Sequence, residues 1–157
     1  MYSIQIKLIR AAEFTACTLG FASLLIGTLV KAQWVEPQII EPYVFSVFLM
    51  MFPIFGFSVY LMAQFVKIMR SGQSWFQQAH KLSWVEAKEI VRFCPRWLLL
   101  ISLTGAVAAV VIGYSVGKVT WRTGMPFTER EAIGFSTGSA LFYFLSLPIL
   151  GSASRSD

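Results

Sequence analysis

Few side chains in this chain could do chemistry, and they are scattered along its 157 residues. Glu13 is the one acidic residue inside an apolar stretch, where a carboxylate could carry a proton or hold a cation. Arg10 lies three residues earlier on the same helix face, so an ion pair close to the aqueous boundary would satisfy Glu13 structurally instead. Gly134-Phe135-Ser136-Thr137-Gly138 has the G-x-S-x-G form of a serine nucleophile. Such a serine needs a base, and the sole imidazole, His80, falls on the opposite side of a membrane from Ser136 in the topology argued below. Helix packing explains these glycines better. Cys17 and Cys94 are the only thiols and do not form a C-x-x-C pair, which excludes disulfide exchange by that motif. With one His, one Asp (Asp157) and no Asn, a bis-histidine haem site or a histidine-rich metal site cannot be built within one chain. We therefore expect no catalytic residue, no metal and no cofactor.

The elements that position these residues follow from composition. Apolar residues make up 56% of the chain and charged ones 13%, against about 25% in soluble domains. The mean hydropathy of +0.65 places the chain in lipid. Stretches near the roughly 20 residues a helix needs to cross a bilayer occur at 11–30, 43–66, 97–116 and 132–150. Lipid hosts them as helices, because open strand edges would leave backbone groups unpaired. The expected fold is all-α, a single transmembrane domain in which four helices form two hairpins. The first span also resembles a signal peptide in following Lys7 and Arg10, but it is longer than a signal core and contains Glu13, so we expect it to be retained.

Nine of the thirteen Lys and Arg residues fall in the N-terminal segment, the stretch 67–96 and the C-terminus, and four (Lys31, Lys118, Arg122, Arg130) fall on the other side. By the positive-inside rule both termini and the central segment are expected in the cytoplasm, with a bacterial inner membrane as host because no Asn is available for glycosylation. Trp34 and Trp121 lie past the outer ends of spans one and three, and Trp75, Trp84 and Trp97 lie in or beside the central segment, as interfacial anchors do. The net charge of +5 alternates with apolar spans and forms no basic face, so its expected partner is anionic lipid and not nucleic acid.

Within 67–96, Ser83-Trp84-Val85-Glu86 is a capping box, and Pro95 marks the stop of the helix it starts. On that helix Trp84, Ala87, Ile90, Val91 and Cys94 share one arc, and Glu86, Lys88, Glu89 and Arg92 the other. An amphipathic helix along the inner leaflet is expected, although Val85 and Phe93 fall on its polar arc. Ser74-Trp75-Phe76-Gln77 is a second, weaker capping box, and Thr128-Glu129-Arg130-Glu131 repeats the pattern ahead of span four.

Ile26-Gly27, followed by Val30, Lys31 and Trp34, matches Ile112-Gly113, followed by Val116, Lys118 and Trp121, with Gly117 inserted. The match is either a parallel repeat of hairpins or the generic chemistry of an outward-running helix end. Small residues line one face of span one (Ala12, Ala16, Gly20, Ser23, Gly27) and one face of span three (Gly105, Ala109, Gly113, Gly117), and Gly134 and Gly138 form GxxxG in span four. Such faces let helices approach closely, within the chain or against another membrane protein or a second copy.

Ala11-Ala12-Glu13 resembles the small multidrug transporters in placing a Glu in the first of four spans. Those chains are shorter and tightly looped, so the likeness does not extend to residues 67–96. Two functions are expected from this inventory. The first is a non-catalytic protein acting by protein–protein contact, as an accessory subunit of a membrane complex or an immunity-type protein. The second is a small channel or proton-coupled transporter using Glu13.

Overall fold

Local chemistry sets the ends of four helices: α1 (Tyr2–Lys31), α2 (Pro37–Met69), α3 (Arg96–Tyr114) and α4 (Glu129–Ala153). The computed structural model describes residues 2–69, 88, 92–115 and 127–155. Past the end of α1, Trp34 N–H donates to Leu29 O (3.0 Å) and Gln33 N–H to Val30 O (2.9 Å), with Gln33 at a left-handed φ of 58°. This is a Schellman closure with Gln where Gly is usual. Pro37 opens α2, where a missing N–H costs nothing. Pro95 precedes α3, and its carbonyl accepts from Leu98 and Leu99 N–H. At α4 the expected capping box is present: Thr128 Oγ1 accepts from Glu131 N–H (3.3 Å), and Glu131 Oε2 accepts from Thr128 N–H (2.8 Å).

All four helices are long and apolar enough to cross a membrane. Their 30, 33, 19 and 25 residues correspond to about 45, 50, 28 and 38 Å, against about 30 Å of hydrocarbon. Lys31 Nζ donates to Ser115 Oγ (2.8 Å), joining the ends of α1 and α3, which therefore run the same way. Phe45 of α2 makes tilted ring contacts with Phe127, just ahead of α4, and with Phe135 of α4, at 5.8 and 6.1 Å between ring centroids.

Packing is organised around α4. α4 packs along each of the other helices, and these touch one another sparingly. Tyr143, Phe144, Leu147 and Leu150 are fully buried on it. Small residues between them let neighbours approach from several sides, and the hydroxyls of Ser139, Ser146 and Ser152 donate to carbonyls four residues back on α4 itself. A Cβ at Gly20 or Gly105 would meet Phe144, and one at Gly27 or Gly113 would meet Thr137, so α1 and α3 present matching small residues to the same side chains of α4. Residues 116–121 of the repeat lie outside the described residues.

Pro148 lies within α4 and cannot donate to Phe144 O four residues back. Ser102 of α3 does so instead, with its Oγ 2.6 Å from that carbonyl and both residues buried. The expected cost of Ser102→Ala is about 1–2 kcal/mol, that of a buried acceptor left without a donor. Unfolding in detergent mixtures of rising SDS content measures it. In a Pro148→Ala background, where the backbone N–H returns, the same substitution should cost clearly less; equal costs in both backgrounds would remove this role for Ser102.

Candidate functional site

Three elements converge at the end of the bundle where α1 and α3 begin and α4 finishes. Glu13, two turns inside the apolar part of α1, is 9% exposed. Ser154, the C-cap of α4, donates from Oγ to Glu13 Oε2 at 2.9 Å. Arg155 Nη1 lies 3.3 Å from the same oxygen, and also donates to Ser154 Oγ (2.8 Å) and to Gly151 O (3.2 Å), one of the last carbonyls of α4. A cation at this position also opposes the negative end of the helix dipole. From α3, Trp97 lies under the guanidinium, 5.8 Å from Cζ to the ring centroid. Glu13 therefore takes Arg155 as its ion-pair partner, and Arg10 is exposed. The end of α4 is bolted to α1 by charge and to α3 by the Trp97 contact.

Cys94, 5% exposed, lies beside this cluster, and a Cβ at Gly151 would press on Leu98 and come within 3.3 Å of Cys94 Sγ. Burial pushes the Cys94 thiol from its ordinary 9.0 up to about 11; the Arg155 charge opposes this rise and Glu13 adds to it. Because the folded thiol keeps its proton longer than the unfolded one, its contribution to stability is intact below pH 9 and falls between 9 and about 11. The thiolate is the nucleophile, so iodoacetamide alkylation of Cys94 in a Cys17→Ser protein should climb about tenfold per pH unit through pH 10. A plateau near pH 9 would contradict the buried-thiol account.

At the other end, Gly134 and Gly138 of α4 with Ala109, Val110 and Gly113 of α3 line an open groove of about 330 Å³. A Cβ at Gly138 would meet nothing within 4 Å, in contrast to Gly20, Gly27, Gly105 and Gly113, whose small size is used inside the bundle. Ala109 is buried. Ser136 of the G-x-S-x-G motif is 3% exposed, and its Oγ is the buried side-chain polar atom without a hydrogen-bond partner among the described residues. No general base addresses it there. Also among the described residues, no group of three His, Cys, Asp or Glu could hold a metal.

Of the expected inner-surface helix, Lys88 and Arg92 are helical and exposed. Trp84, Ile90 and Val91 lie outside the described residues, as do His80 and Gly117. Sequence reasoning missed Ser154 and Arg155 as partners of Glu13, and Ser102 as the donor to Phe144 O. Compared with protein-family models, curated proteins and solved structures, the chain matches none.

Proposed function

We propose that this is a non-catalytic, multi-pass protein of a bacterial inner membrane that works by binding another membrane protein, as an accessory subunit of a complex or an immunity-type protein. The observation that carries this reading is the engagement of Glu13: its carboxylate is held by Ser154 and Arg155 at one end of the bundle. A transport carboxylate must exchange its partner for cargo, whereas this one fastens α1 to the end of α4. In this reading the termini and residues 67–96 are cytoplasmic, following the nine-to-four division of Lys and Arg. The Gly134 and Gly138 face that the bundle leaves open is where a partner's helix would lie close.

The test is gentle extraction of tagged protein from its native membrane, with photocrosslinking from position 138 and from the exposed position 49 as control. A stoichiometric partner crosslinked from 138 alone supports binding. A homo-oligomer without partner, conducting protons in vesicles and silenced by Glu13→Gln, overturns it in favour of a channel or transporter.

A further inference from the structure

α1 and α3 run in parallel on α4 but scarcely meet each other, and a cleft of about 470 Å³ remains between them. Phe21, Leu24, Leu25 and Thr28 line it from α1, and Ala108 and Ile112 from α3. We infer that this cleft holds one acyl chain of an anionic phospholipid whose phosphate rests on Lys31. The inference rests on the membrane-spanning reading above and adds a ligand to it.

Two features select this occupant. The first is charge at the mouth. Lys31 lies one turn beyond Thr28, and Ser115 one turn beyond Ile112, so the Lys31–Ser115 hydrogen bond of 2.8 Å closes the top of the cleft. The ammonium is exposed and has two further N–H donors to offer a phosphate. The second is length. From Phe21 to Lys31 the helix rises about 15 Å, half of the roughly 30 Å hydrocarbon core and so the depth of one leaflet. The lining starts at Phe21, whose ring packs edge-on against Phe144 at 5.3 Å, so the cleft is as deep as the acyl chain of one leaflet is long.

Native mass spectrometry of the full chain, released from micelles with phosphatidylglycerol or phosphatidylcholine, tests this directly. The wild type should retain one phosphatidylglycerol per chain under activation that strips other lipid. Lys31→Gln should lower the preference for phosphatidylglycerol about fivefold, the effect of one charge at a lipid surface. Ala108→Leu, which narrows the cleft, should lower retention of both lipids, and Lys7→Gln, an exposed cation at the other end of α1, should change neither. An unchanged preference in Lys31→Gln, or wild-type retention in Ala108→Leu, overturns the inference and leaves the membrane reading standing. Release of the protein into the soluble fraction by alkaline carbonate overturns both.

Discussion

Replacing Arg155 by Gln is expected to lower stability by about 2 kcal/mol, and replacing Glu13 by Gln by about half as much. Losing one member of a buried pair typically costs about 3–5 kcal/mol because the other charge is left unpaired. Here the two ends are not equally buried: the side chains of Arg155 and Glu13 are 38% and 11% exposed. Solvent already screens the guanidinium, which lowers the expected figure. Without Glu13, Arg155 keeps its Gly151 carbonyl and Trp97 contacts and can reach water along its stem. Without Arg155, Glu13 keeps the Ser154 hydroxyl and has no counter-charge. The asymmetry is the diagnostic result. Unfolding of both single variants and of the Glu13→Gln, Arg155→Gln double variant in SDS mixtures should show the double variant less damaged than Arg155→Gln alone. Additive losses would mean that the pair is a surface contact of no consequence, and a larger loss from Glu13→Gln would return weight to Glu13 as a working carboxylate.

Helix neighbours three and four apart are visible in any sequence, so Arg10 presents itself for Glu13; Arg155 is 142 residues away and is delivered by the length and capping of α4. A signal existed, because Ser154 and Arg155 directly follow the last apolar turn of the fourth span, on the side of the membrane expected for Glu13. Ser102 was foreshadowed in the same way. A proline within a span leaves the carbonyl four residues earlier without its donor, so Pro148 already names Phe144 O as an acceptor seeking a hydroxyl. The four helices themselves were legible because runs of apolar residues of bilayer length have no other stable form, and the start of α4 because Thr128 and Glu131 cap it reciprocally. The central position of α4 was less legible. Ser, Gly and Ala are distributed around that helix among large residues, the pattern of a helix buried on several faces, and the GxxxG pair drew attention to one face only.

Gly105→Ala should be the most damaging single methyl that can be added to α3, at about 2–3 kcal/mol. A Cβ there would stand 2.5–2.6 Å from three atoms of the Phe144 ring. The ring cannot step aside freely, because Phe144 is fully buried and Phe21 packs on it edge-to-face at 5.3 Å. Its backbone is also tethered through the Ser102 bond to its carbonyl, so α3 must lift away from α4 or both helices must shift. On an isolated helix the same change would be favourable by about 1 kcal/mol, so any loss reports packing alone. Two comparisons make the prediction sharp. Gly138→Ala adds the same methyl to α4 where nothing lies within 4 Å, and is expected to be neutral or mildly stabilising in the absence of a partner. Phe144→Leu removes part of the obstructing ring, and Gly105→Ala placed on that background should cost much less than on the wild type. If Gly105→Ala and Gly138→Ala prove equally harmless, α3 does not press on α4 at this level and the arrangement around α4 is wrong. If Gly138→Ala leaves the isolated protein intact but abolishes recovery of a partner, the open face would be an element of function in its own right, separated from stability by one methyl group.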